Sequence, residues 1–299
     1  MTDFKHNNDK PSALLTGYST VRGAELKAIY KTLESQGEVP VSTLEKRFGR
    51  PMTSGYETEH IDQSLKFLRA IDMVDVSAQN VVSLSNEDVY SSLSFEARVL
   101  HHVRKQPGKQ YHLTYIFDVL AKQNCRRVTE ENLLEAVKAD SDRSFDLTWR
   151  GEKIRMWANL FDPLGAISYV NDATDLDENE IIASPTRALM YELLAWYAEN
   201  GEDSKRFARA LKWIDEEFMP VFADRPGVPK LAAGVADVLN DIEMEGAISL
   251  QTMSDAGIVA SLPRSNGAPR NVATYTVESL PDRPAYWYPL DRNERRLRT

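Results

Sequence analysis

The sequence predicts a mainly α protein with small β-hairpins (α+β), organised as three tandem modules, each a helical bundle closed by a C-terminal hairpin. Three observations predict it. Apolar residues recur at helical spacing in stretches bounded by capping residues, Gly or Pro. Short β-type runs flank polar turns after the last helix of each stretch. Gly165-Ala166-Ile167-Ser168 recurs as Gly246-Ala247-Ile248-Ser249, with a weaker copy at Met73-Val74-Asp75-Val76, each following an amphipathic helix. A length of 299 residues fits two or three domains better than one.

The first module is placed at 20–91, behind a flexible N-terminus at 1–19. Leu26, Ile29, Tyr30 and Leu33 stand at i, i+3, i+4 and i+7, which predicts a helix from about Arg22 to Gln36, ended by Gly37. Ser42 and Glu45 read as a capping box for a second helix with Leu44 and Phe48 inward, closed by Gly49 and Pro51. Ser54 and Glu57 read as a second box opening a third helix with Ile61, Leu65 and Leu68. Its exposed side is assigned Glu57, Glu59, His60, Asp62 and Gln63 beside Lys66 and Arg69. Met73–Val76 and Val81–Leu84 then form a hairpin around Ser77–Asn80.

The second module, 92–183, opens near Phe95 with Val99, Leu100 and Val103, stops at Pro107-Gly108, and resumes with Leu113, Ile116, Phe117 and Leu120. A helix capped by Thr129 and carrying Leu133, Leu134 and Val137 reads as an insertion before the one holding Ile154, Trp157, Ala158 and Phe161. Strands are expected at Ala166–Val170 and Glu180–Ala183.

The third module, 184–278, begins with Ser184 as N-cap and Pro185 at the first helical position. A second helix is expected from about Ser204 to Phe222. Another starts at Pro229, burying Leu231, Val235, Val238, Leu239 and Ile242 and leaving Ala232, Ala233, Ala236, Asp237 and Asn240 outward. Strands are expected at 247–252, 257–262 and 272–277, the last two flanking Pro263–Arg270 as an extended wing. Residues 279–299 form an aromatic and basic tail with Tyr286, Trp287 and Tyr288, followed by Arg292, Arg295, Arg296 and Arg298.

This order of three helices and a hairpin, with the repeated ending, resembles the winged-helix (winged helix-turn-helix) superfamily over most of residues 20–278. The resemblance implies three winged-helix modules whose third helix enters the major groove and whose wing touches the backbone. Many such modules bind protein instead, so the fold alone does not assign function.

Bulk properties narrow the classes. Apolar residues at 42% and charged residues at 27% suit a globular core. No stretch approaches 18 apolar residues and no secretory h-region stands at the start, so a cytoplasmic chain with no membrane partner is expected. One cysteine, Cys125, excludes an intrachain disulfide and a multi-cysteine zinc site. Phosphate-loop, dinucleotide, nucleophile-elbow and zinc-protease motifs are absent. No enzyme activity, cofactor, metal or small-molecule substrate is therefore expected. The acidic loop Asp172–Glu180 lacks calcium-loop spacing and reads as solvated.

A net charge of −9 opposes a purely electrostatic nucleic-acid binder, so local basic patches must carry any phosphate contact. Lys205, Arg209 and Lys212, with Arg206 adjacent, read either as a phosphate-contacting stripe or as a solvated face paired to Asp215 and Glu216. Arg264 and Arg270 sit on the wing loop. Arg126 and Arg127 belong to a basic region from Arg98, and the candidate reading helix of the second module offers Lys153 and Arg155 outward, with Arg150 in its first turn. Two functions are expected from this set: a regulatory or accessory protein on double-stranded DNA, or a scaffold subunit of a chromosome-organising or phage-defence complex, working through a protein partner or homodimer.

Overall fold

The computed structural model describes residues 21, 23–85, 89–106, 112–140, 148–170, 179–201, 206–223, 230–245, 248–254, 257–261 and 273–278. The chain divides into two compact units, one of Met1–Ile116 with Val137–Leu164, the other of Phe117–Ala136 with Gly165–Thr299. The stretch expected as a second module therefore contributes to both. No described helix is long and apolar enough to cross a membrane.

In the first unit, α1 (Gly23–Gln36) buries Leu26, Ile29, Tyr30 and Leu33, the stripe its spacing predicts. Gly37, at φ +75°, ends it in a left-handed turn, and its N–H returns to the Leu33 carbonyl at 2.8 Å. Then come β1 (Val39–Pro40), α2 (Val41–Phe48), β2 (Arg50–Met52), β3 (Gly55–Glu57), α3 (Glu59–Ala70), β4 (Val74–Val76) and β5 (Val81–Leu84). The strands form a sheet in the order β1-β5-β4 and a separate hairpin β2-β3.

Both expected capping boxes fail here. Pro40 stands at the N-cap of α2 without a side-chain bond, because the chain enters from β1 and the Val41 amide is taken by the Asn80 carbonyl at 2.9 Å. Ser54 lies in the turn of the β2-β3 hairpin and Glu57 pairs with Arg50 in its ladder, so α3 starts later, after Thr58. His60 is buried rather than outward; its Nε2 donates to the Phe48 carbonyl at 3.0 Å, tying α3 to the end of α2.

Helix α4 (Phe95–Arg104) is capped by Ser94, whose Oγ accepts from the Ala97 amide at 3.3 Å. It is fastened to α1: Arg98 is buried, bonds the Tyr30 hydroxyl and reaches Glu34 at 3.0 Å, while Tyr30 and Phe95 meet with ring centroids 5.1 Å apart. Helix α5 (His112–Gln123) begins in this unit and ends in the other. Trp157, fully buried on α7 (Gly151–Phe161), donates its indole N–H to the Leu113 carbonyl at 2.9 Å and stacks on Phe161.

The second unit holds β6 (Arg127–Thr129), β7 (Ser168–Val170) and β8 (Glu180–Ile182), paired as β6-β8-β7. Thr129 caps α6 (Glu130–Asp140) as expected, accepting from the Asn132 amide at 3.2 Å. Apart from the β2-β3 hairpin, which the second run lacks among the described residues, the run α1-β1-α2-α3-β4-β5 and the run α5-β6-α6-α7-β7-β8 share one element order, and in both the first strand pairs with the last. In that order α6 stands where α2 stands in the first run, and α4 falls between the two runs.

The remainder comprises α8 (Arg187–Asn200), α9 (Phe207–Glu217), β9 (Phe222–Ala223), β10 (Lys230–Leu231), α10 (Ala233–Met244), β11 (Ile248–Ser254), β12 (Gly257–Ser261) and β13 (Ala273–Glu278). Thr186, not Ser184, caps α8, accepting from the Leu189 amide at 3.3 Å; Ser184 instead donates to the Gly234 carbonyl at 3.2 Å. Helix α9 ends at Glu217 because Asp215 Oδ1 draws the Val221 and Phe222 amides (2.7 and 3.2 Å) into β9, which pairs with β10. That pairing also delays α10 from Pro229 to Ala233.

The expected wing is not a hairpin of its last two strands. β11 lies between β12 and β13, antiparallel to the first and parallel to the second, so β12 and β13 do not pair with each other. The small-residue side of α10 is not outward either: Ala232 and Ala236 are buried, and Asp237 and Asn240 are half-buried. The N-terminal segment 1–19, residues Gly246 and Ala247 of the repeated ending, the acidic loop 171–178, the Pro263–Arg270 loop and the tail 279–299 lie outside the described residues.

Candidate nucleic-acid interface

In the second unit, Arg126 leaves the end of α5 and clasps Asp237 of α10, with Nη2 3.0 Å from Oδ1 and Nε bonded to Oδ2. Beside it Asn124 Oδ1 accepts the Ala233 amide at 3.0 Å, closing the start of α10 from a distant stretch. Arg127 lies across the β6-β8 ladder from Ile182 and reaches Glu180 at 3.3 Å. These two cations are held by carboxylates on neighbouring elements, which lowers what a phosphate would gain by meeting them.

The cationic stripe expected on α9 is shorter than its spacing suggests. Lys205 lies outside the described residues, and Arg206 stands at the N-cap with an extended backbone, so only Arg209 and Lys212 are on the helix. Lys212 reaches Glu216 at 3.5 Å, one turn on, while Arg209 is exposed. The apolar face opposite is as expected, with Phe207, Leu211, Ile214 and Phe218 buried. Arg264 and Arg270 lie outside the described residues.

The first unit carries the other candidates, on α7. Arg150 is exposed at the N-cap and Arg155 is exposed one turn on. Lys153 does not face outward: only 6% of it is accessible, and its Nζ donates to the Thr148 carbonyl at 2.6 Å. Burial holds its pKa below the usual lysine value, Arg150 pushes the same way, and Glu152 opposes. The reason it turns in is positional. Lys153 adjoins Ile154 and sits one turn before Trp157, on the side of α7 that packs into the core. The eleven candidate residues are thus divided between two units, and at least three of those described, Arg126, Arg127 and Lys212, are paired to acids.

Two features were not foreseen. The β2-β3 hairpin exposes Met52 and Tyr56, at 61% and 58% accessible; the Gly49-Arg50-Pro51 and Ser54-Gly55 steps were its turn signals. Trp149, just before α7, is buried against Tyr115, yet its indole N–H has no hydrogen-bond partner.

No group of three potential metal ligands occurs among the described residues. Cys125 lines an apolar cavity of ≈ 20 Å³ with Phe117, Leu120, Met219 and Val235, space for about one water. Burial pushes its thiol pKa up, away from a reactive thiolate.

No protein-family model matches the chain, and no curated protein or solved structure does.

Proposed function

We propose that the protein is a non-enzymatic scaffold subunit built on winged-helix-type units and working through protein contacts in a larger assembly. One observation carries this reading: Arg126, Arg127 and Lys212, three of the cations best placed for a polyanion, are each engaged by a carboxylate in an acidic chain. The recurring element order, with the first strand pairing the last in each sheet, supports the winged-helix ancestry. Large apolar side chains on the β2-β3 hairpin support a protein-contacting surface. Light scattering after size exclusion, on nuclease-treated protein purified from its own host, tests it. A stable dimer or a stoichiometric partner is expected; a monomer with no partner sinks the reading.

A second reading, binding to duplex DNA, is favoured by the exposure of Arg150 and Arg155 on α7 and Arg209 on α9. It predicts affinity that falls steeply with salt, as counterion release requires. Anisotropy of a labelled duplex measures this, and Arg155→Glu with Arg209→Glu should abolish the signal. Absence of binding at low salt dismisses it.

A further inference from the structure

The β2-β3 hairpin is exposed at every strand residue, and its two strands pair with no third among the described residues. Its register sets Arg50 with Glu57, Pro51 with Tyr56 and Met52 with Gly55. Pro51 has no N–H, so the hydrogen-bonded pairs of this ladder are the outer two, and Pro51 and Tyr56 form the non-bonded pair between them. Residues of a non-bonded pair turn their backbone groups away from each other. On the β2 edge that leaves the Pro51 ring, which offers no donor and blocks a further strand. On the β3 edge it leaves the N–H and C=O of Tyr56 facing outward.

The side chains suit this edge. Tyr56 is 58% accessible, yet the base of its side chain is set against Gly49, where an added Cβ would stand 2.9 Å from the Tyr56 Cβ. We propose that the β3 edge pairs antiparallel with the β3 edge of a second copy of this chain, about a two-fold axis at Tyr56, which rests on the scaffold reading above and names its partner. Tyr56 alone among residues 55–57 turns its N–H and C=O to the edge, so the register is fixed. It sets Tyr56 directly opposite the Tyr56 of the second copy, with Pro51 on either side, and one face of the four-stranded sheet then carries an unbroken row of ring side chains. On the other face Glu57 comes opposite Gly55 of the second copy, so no two carboxylates stand directly across from each other. One self-complementary patch is all that such an isologous contact requires. A polyanion is a poorer occupant, because Arg50, the one cation on these strands, is 2.7 Å from Glu25 and lies across from Glu57.

Sedimentation velocity of the full-length protein over a concentration series measures the pairing. Wild type should dimerise, and Tyr56→Pro should weaken the dimer about tenfold or more. That change removes the outward N–H and the ring while leaving the hairpin's own hydrogen-bonded pairs in place. Tyr56→Cys supplies a second, independent measurement. Opposed residues of a bonded pair stand about 5.5 Å apart at Cα, within the roughly 4.4–6.8 Å that a disulfide spans. Under mild oxidation Tyr56→Cys should therefore crosslink into a dimer. Met52→Cys, at a position equally exposed but three strand spacings (~14 Å) from its copy, should not, and wild type controls for the half-buried Cys125. The edge is refuted by a wild type that stays monomeric, by a Tyr56→Pro dimer of unchanged affinity, or by Met52→Cys crosslinking as fast as Tyr56→Cys. A dimer untouched by Tyr56→Pro leaves the scaffold reading standing, whereas a monomer with no partner ends both. A different protein whose binding is lost in Tyr56→Pro overturns the second copy as the occupant.

Discussion

Arg126 and Asp237, 111 residues apart in sequence, are joined by two parallel hydrogen bonds that tie the segment after α5 to α10. The side chains are 39% and 34% accessible, so solvent screens much of their attraction. Arg126→Ala and Asp237→Ala should each cost about 1 kcal/mol, with the double variant costing less than the sum. Urea denaturation at low and high salt measures this, and the loss should shrink as salt rises.

Gly234 lies where α10 crosses the chain before α8. A Cβ there would stand 1.7 Å from the Ala183 carbonyl oxygen, a backbone atom that cannot swing away. Gly234→Ala should therefore destabilise by about 1–3 kcal/mol, although alanine is the better helix former. A rise in melting temperature would contradict this packing.

Trp157 fills the core of the first unit and donates to Leu113. Trp157→Ala should cost about 3–5 kcal/mol through lost burial and a cavity. Trp157→Phe keeps most of the volume and should cost less, chiefly the hydrogen bond to the Leu113 carbonyl. Chemical denaturation of both variants separates packing from bonding.

Lys153 should give stability an unusual pH dependence. Its folded pKa lies below the unfolded value, so its contribution is full above the unfolded pKa, about 10.4, and is lost as pH falls through the folded pKa. Wild type should gain on Lys153→Met as pH rises from 7 towards 10. Urea midpoints of the two proteins across that range report the sign, and a gap that stays constant or narrows would contradict it.

Cys125 should behave oppositely. Burial raises its folded pKa, so the stability it contributes is present below the unfolded thiol pKa and is lost as pH rises through the folded value. A thiol-reactive dye at pH 7–8 should label native protein far more slowly than protein in urea. Equal rates would show the thiol to be open.

Much of the fold was legible in the residues. The stripe of α1, the Thr129 cap, the turn at Gly37 and the core face of α10 follow from spacing and local bonding, so they appear where expected. The failures share a cause. Ser42, Ser54 and Ser184 are good caps in isolation, but strand pairing from β1, the β2-β3 ladder and the Gly234 carbonyl claimed their surroundings. For the candidate site, exposure of Arg150, Arg155 and Arg209 matched expectation, while the burial of Lys153 and the pairing of Arg126 did not.

Helix periods, capping chemistry and the acidic balance are properties of neighbours along the chain, and these alone established a mainly helical, hairpin-bearing protein with a sparse set of cations. Which carboxylate meets which arginine, how the strands order themselves around β5, β8 and β11, and that the Trp149 indole N–H is left without an acceptor emerge only when segments far apart in sequence pack together. The physical reason is range: a backbone hydrogen bond within a helix needs four residues, whereas an ion pair or a sheet neighbour depends on the whole path of the chain between its partners.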